Sequence, residues 1–227
     1  MKAILFDAGN TLVWLDHPFL VQALREHGVE AREEEILAAE YGAKRLLDEL
    51  VRTGNGGTDE TRGKVYFREV FRQLGVDDAL FPALARTLFA RHAERNLWSR
   101  VRERTAETLE ELRGRGYRLG VISNADGRVE GLLESVGLRP YFDFVIDSAV
   151  VGIEKPDPRI FQLACARLGL HPGEALYVGD IYEIDVAGAR RAGMRAVLID
   201  PLDRWGELDC DRIRGVEELP AWLERRG

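Results

Sequence analysis

The sequence predicts an α/β fold: a doubly wound, Rossmann-like parallel sheet of five strands with an α-helical cap domain inserted into it. Three observations carry this expectation. Five short apolar runs, at 2–6, 118–122, 143–147, 175–179 and 195–199, close on Asp, Ser or Gly. They lack polar alternation, as strands covered on both faces of a parallel sheet do. Helical patterns alternate with the later runs, the order expected of strand-helix-strand crossovers. Finally, about 110 residues separate the first run from the second, whereas such a crossover takes about 30.

Taken in chain order, the run KAILF at 2–6 opens the sheet. Segments 18–27, 33–52, 59–74 and 78–94 then carry apolar residues at helical spacing, for example Ile36, Leu37, Tyr41, Leu46, Leu47 and Leu50. They define a small helical bundle in which TGNGG at 53–57 makes a turn. The expected domains are therefore a core of 1–15 with 99–227 and an insert of 16–98. The core continues with helices at 104–115, 128–136, 158–168, 183–192 and 216–225 between and after the remaining strands.

Composition narrows the function. Of 227 residues, 45% are hydrophobic and 31% charged, enough to bury a sizeable core. The net charge of −7, from 39 acidic and 32 basic residues without a basic stripe, argues against nucleic acid as a partner. No apolar run reaches the roughly 18 residues of a membrane span, and no signal-peptide pattern is visible, so a cytoplasmic location is expected. Cys165 and Cys210 form neither a disulfide framework nor a thiolate metal site. Oligomeric state is not legible.

In an open parallel sheet ligands bind beyond the carboxyl ends of the strands. Asp7 ends the first strand, Ser123 and Asn124 the second, and Gly179 and Asp180 the fourth, with Asp185 following and Lys155 in the sequence Glu154-Lys155-Pro156. Crowded carboxylates repel unless protonated or bridged by a cation, and oxygen ligands suit Mg²⁺. A carboxylate nucleophile, an ammonium, a small hydroxyl and a hard cation together fit phosphoryl chemistry.

At these residues the chain resembles the haloacid dehalogenase-like (HAD) hydrolase superfamily. Four motifs stand in order: LFDAGNTL at 5–12, ISN at 122–124, EKP at 154–156 and VGDIYEID at 178–185. The resemblance covers essentially the whole chain, and the insert at 16–98 resembles that family's helical cap. It implies that Asp7 is the covalent nucleophile and a Mg²⁺ ligand, with Gly9 contributing its backbone carbonyl, Asp180 binding the ion and Asp185 supporting it. It implies also that Thr11 steadies the first loop, that Ser123, with Asn124 beside it, hydrogen-bonds phosphoryl oxygens, and that Lys155 pairs nucleophile and phosphate. The implied substrate is a small phosphorylated metabolite.

One position departs from the pattern. The family's phosphatases carry a second aspartate two residues after the nucleophile, as general acid and base, where this chain has Gly9. Proton transfer of that kind is typically worth 10²–10⁴-fold. Asp126 and Asp16 are the nearest replacements by sequence. The readings are a Mg²⁺-dependent phosphatase favouring acyl or aryl phosphates, a 2-haloacid dehalogenase, a phosphonatase using a cap lysine, and a weak enzyme that binds phosphometabolites. Both cap lysines, Lys44 and Lys64, lie on helices where a solvated face is the simpler expectation; Arg62, Lys64 and Arg68, near the TGNGG turn, fit equally well a grip on an anionic substrate and an arginine-rich solvated face. Trp14 and Trp98 are expected to pack at the borders of the insert, and the four histidines show no metal-ligand spacing.

Overall fold

The computed structural model describes residues 1–226. Its elements are, in order, β1 (Ala3–Phe6), β2 (Trp14–Leu15), α1 (His17–Glu26), α2 (Glu33–Arg52), α3 (Asp59–Gln73), α4 (Phe81–Glu94), β3 (Trp98–Arg100), α5 (Thr105–Gly114) and β4 (Arg118–Ser123). They continue with α6 (Val129–Ser135), β5 (Phe144–Asp147), α7 (Ser148–Val151), α8 (Pro158–Leu168), β6 (Ala175–Gly179), a single π turn (Tyr182–Val186), α9 (Ala187–Arg191), β7 (Arg195–Ile199), β8 (Asp211–Ile213) and α10 (Leu219–Arg226). The chain divides into two compact units, one of Met1–Trp14 with the chain from Arg100 onward, the other Leu15–Ser99. Among the described residues no helix is long and apolar enough to cross a membrane.

In the α/β unit six strands form one sheet in the order β5-β4-β1-β6-β7-β8, every pairing parallel. The expected count was five. The sixth, β8, is three residues long and reads Asp-Arg-Ile, so it has no apolar run to reveal it. A short, charged strand at a sheet edge protects against edge-to-edge pairing, which is why it looks like loop in the sequence. All four residues of β1 are buried, because this strand lies between β4 and β6. One face is packed by Leu5, Ile122, Ile146, Ile160, Phe161 and Tyr177 among others. Helix α8 shows how local sequence sets its ends: the Asp157 carboxylate accepts from Arg159 N at 2.9 Å, Pro158 follows, and Gly169 closes it at φ 66°.

The helical unit packs Leu20, Leu24, Ile36, Leu47, Val70, Phe71, Leu84 and Leu88. Its interior also holds charge. The Glu40 carboxylate, 1% exposed, bonds to His17 Nε2 at 2.9 Å and accepts from the Tyr66 hydroxyl. Lys44, one turn on, is equally buried, its ammonium 5.6 Å from the Tyr41 ring centroid. This corrects the expectation of a solvated Lys44, whereas Lys64 is exposed and pairs with Glu60 at 2.6 Å. Periodicity hid the difference because burial, which works against the Glu40 charge, is outweighed by His17, Lys44 and Tyr66, so that charge is tolerated on an inward face. Arg62 is buried as well and donates to Gly57 O at 2.8 Å, holding the glycine turn.

Gly120 in β4 has a packing role: a Cβ there would lie 2.5 Å from Cζ of Phe144 on the neighbouring strand. Because Phe144 is 8% exposed within the core, Gly120→Ala is expected to lower stability by about 1–3 kcal/mol through overpacking. Urea unfolding measures this, and an unchanged midpoint would contradict it.

Candidate active site

The site is built where strands stop. Asp7 follows β1, and its backbone N still donates to Val178 O at 2.8 Å, which seats the residue against the end of β6. The chain then turns sharply: Ala8 O accepts from Leu12 N at 2.9 Å and Val13 N at 3.0 Å, and Asn10 N donates to Val13 O at 2.7 Å. Asn10 takes φ 52°, a left-handed conformation that asparagine tolerates better than most residues. These bonds use the carbonyl of Ala8 and not that of Gly9. Thr11 is 1% exposed, and its hydroxyl has no protein partner.

Lys155 lies at the centre. Its ammonium donates to Asp7 Oδ1 at 2.6 Å, to Asp185 Oδ1 at 2.7 Å and to the Tyr177 hydroxyl oxygen at 2.9 Å. The second Asp185 oxygen accepts from Asp180 N and Ile181 N, each at 3.0 Å. Asp185 thus has both oxygens engaged, and it is aimed by the π turn that follows β6. Gly179 makes room for it, since a Cβ there would lie 2.4 Å from Asp185 Cγ. Asp180 is 4% exposed and adjoins this cluster; Asp7, Asp180 and Asp185 each offer a carboxylate oxygen, all within 4.8 Å of one another. An all-oxygen set of this kind suits a hard cation better than a sulfur- or nitrogen-seeking one.

The structure brings some of the expected residues together and places others to one side. Asp7, Lys155, Asp180 and Asp185 meet. Asn124 holds the main chain of Lys155 instead, donating from Nδ2 to Lys155 O at 2.9 Å and accepting from Lys155 N at 2.8 Å. Ser123 ends β4 beside it, with only a 3.5 Å approach to Asn124 O, at the limit of a hydrogen bond. The two candidate replacement acids are ion-paired: Asp126 with Arg128 at 2.6 Å, and Asp16 with Arg91 at 3.1 Å inside the helical unit. Tyr177 was not singled out by sequence. The available signal was a hydroxyl within an otherwise aliphatic strand, since a buried phenol needs a partner.

Charge is out of balance here. Burial pushes the Asp7 carboxyl up, and Asp185 and Asp180 add to it, so that it reaches about 7 from its ordinary 3.8 despite the opposing pull of Lys155. Lys155 is itself held well above its ordinary 10.5: burial works against its charge, but Asp185 and Asp7 outweigh it. The cluster therefore carries more negative charge than one ammonium satisfies.

A family profile described as haloacid dehalogenase-like hydrolase matches residues 1–193. The chain belongs to the haloacid dehalogenase-like hydrolase family. Among its HAD relatives, haloacid dehalogenase-like hydrolase domain-containing protein 3 of Bos taurus is 35% identical over 213 residues, covering 89% of this chain and 84% of that one. A glyceraldehyde 3-phosphate phosphatase of Methanopyrus kandleri is 33% identical over 224 residues, covering 97% and 91%. Two crystal structures share the fold: a HAD phosphatase from Thermococcus onnurineus (TM-score 0.61, 29% identity, 98% of each chain) and a 2-haloacid dehalogenase from Pseudomonas syringae (0.60, 27%, 100% of each).

The raised Asp7 carboxyl has a consequence for the HAD fold's stability. Between about pH 4 and 7 the folded protein keeps a proton on Asp7 that the unfolded chain has lost, so this residue makes stability fall as pH rises. The slope it contributes is at most about 1.4 kcal/mol per pH unit. In EDTA, Asp7→Asn is expected to gain stability relative to the native sequence as pH climbs through this window. Urea titrations at pH 4.5 to 7.5 test it, and parallel profiles would count against it.

Proposed function

We propose that this HAD hydrolase is a Mg²⁺-dependent phosphatase acting on a small phosphorylated metabolite through an aspartyl-phosphate on Asp7. The observation that carries the reading is the buried group of Asp7, Asp180 and Asp185 with Lys155 bonded to Asp7. Excess negative charge in that group, expressed in the raised Asp7 carboxyl, fits a bound cation. Asp7 through its second oxygen, the Gly9 carbonyl and Asp180 are the ligands assigned; Asp185, with both oxygens engaged, is assigned the positioning of Asp180 and Lys155. When bound, Mg²⁺ would neutralise charge on the transferring phosphoryl oxygens. The phosphatase names of relatives, glyceraldehyde 3-phosphate phosphatase and ribulose-1,5-bisphosphate 5-phosphatase, lend support. The unit Leu15–Ser99 is assigned the role of the family's cap.

The chain's own residues supply the rest. A carboxylate oxygen of Asp7 attacks phosphorus, the bond to the leaving oxygen breaks, and that oxygen departs with its electron pair. Lys155 fixes the orientation of Asp7 and balances the anion. The hydroxyls of Thr11 and Ser123, one without a protein partner and the other only weakly engaged, can donate to phosphoryl oxygens. Water then attacks the aspartyl-phosphate, releasing phosphate and restoring Asp7, its proton passing to solvent. Gly9 offers no acid for the leaving group, and Asp126 and Asp16 are committed to arginines. We infer a preference for leaving groups that need little protonation, such as acyl and aryl phosphates.

Phosphate release from an aryl phosphate and acetyl phosphate, with chloride release from 2-chloropropionate in parallel, separates the readings. EDTA-sensitive phosphate release that falls to background in Asp7→Asn is the expected result. Chloride release indifferent to EDTA would establish the dehalogenase instead, and silence on every substrate with Mg²⁺ still bound would leave a binding protein. Gly9→Asp is expected to raise turnover of alkyl phosphates by roughly tenfold or more, by restoring a proton donor. No gain in a folded variant would show that protonation is not limiting.

A further inference from the structure

We propose that Tyr177 is a positioning residue for Lys155, its hydroxyl oxygen serving as the third acceptor that fixes the ammonium against Asp7. The catalytic consequence rests on the phosphatase reading; the geometry does not.

A lysine ammonium has three N–H donors. Lys155 spends them on Asp7 Oδ1, Asp185 Oδ1 and Tyr177 Oη at 2.6, 2.7 and 2.9 Å. The Tyr177 hydroxyl has a single proton, and it donates that proton to Ile122 O at 3.0 Å. Towards Lys155 it can therefore only accept, so the polarity of this bond has one solution. The oxygen's position is set by the middle of the sheet. Tyr177 pairs with Leu5 on one side and Ala196 on the other, is fully buried, and meets the Phe161 ring edge-on at 4.9 Å.

Two of the three acceptors are carboxylates, and the reaction changes one of them: when Asp7 bonds to phosphorus it loses its charge and much of its pull. Lys155 reaches the site on a flexible four-carbon stem. With Asp185 alone to hold it, the ammonium would swing onto that carboxylate as a simple ion pair. The phenol oxygen is neutral, does not react, and holds the ammonium at a fixed point whatever state Asp7 is in. Tyr177→Phe removes that oxygen and keeps the ring that packs on Phe161 and lies 5.4 Å from the ammonium.

The chain suits a direct test because it has only four lysines. Lys2 and Lys64 are 65% and 61% exposed, so their ammonium protons exchange with water at once, whereas Lys44 and Lys155 are buried. With ¹⁵N-labelled lysine, the two protected ammonium signals can be followed by NMR and told apart by Lys155→Arg. In Tyr177→Phe, exchange at Lys155 is expected to accelerate about tenfold or more while Lys44 is unchanged, and kcat on an aryl phosphate to fall about tenfold at constant KM. Site-specific fluorotyrosine at 177, which keeps the shape and weakens the oxygen as an acceptor, should shift both readouts the same way by less, and serves if the Phe variant folds poorly. Unchanged exchange at Lys155, equal acceleration at Lys44, or unchanged kcat in a folded variant would each overturn the proposal. If the native protein cleaves no phosphate ester, the phosphatase reading fails and ammonium exchange alone decides the role of Tyr177.

Discussion

Three carboxylates and one ammonium share a space from which water is largely excluded, and much of the α/β unit is arranged around that arithmetic. Asp185 passes part of its charge to two backbone amides and part to Lys155; Lys155 divides itself between Asp185, Asp7 and a phenol. What is left over falls on Asp7, as a carboxyl that resists ionising. Buried charges tolerate this only with close hydrogen bonds on every side. The backbone is shaped accordingly. Gly179 has no side chain because the Asp185 carboxyl occupies that space, and Asn124 grips both main-chain polar groups of Lys155 so that its stem starts from a fixed point.

The fold and the acid cluster were legible because both leave one-dimensional traces. Strands buried on two faces are apolar throughout, and a site at strand ends puts its residues directly after those runs, as Asp7, Ser123 and Asp180 are. What could not be read was the partner of each group. Asn124 stands in a motif, but nothing in the order of residues says that its amide faces Lys155 rather than solvent. Tyr177 reads as one more apolar strand residue until its oxygen is seen against the Lys155 ammonium, 22 residues away in sequence but 2.9 Å away in space. β8 escaped because an edge strand of Asp-Arg-Ile has the composition of a loop. Lys44 is buried against its residue type, with the Tyr41 ring beneath its ammonium and the Glu40 carboxylate one turn away.

With Gly at position 9 the turn after Asp7 is intact, since it is closed through Ala8 O, Asn10 N and Val13. Loop geometry and proton transfer are therefore separable here: one is a property of backbone bonds, the other of a side chain that this position lacks. The helical unit likewise ties its buried Glu40 to two partners, His17 and the Tyr66 hydroxyl.

The position of β1 bears on how the protein is made. This central strand pairs with β4 and β6, so that Ala3 meets Arg118 and Ala175. On a ribosome the first strand emerges long before either neighbour, and the whole of Leu15–Ser99 is synthesised in between. Helices with local contacts form quickly, whereas a ladder between distant segments must wait for its partners and bear the entropy of closing the loop. The nascent α/β unit thus carries an unpaired apolar strand until the chain reaches β4, and its pairing of β7 with β8 can form only after both of those strands have followed.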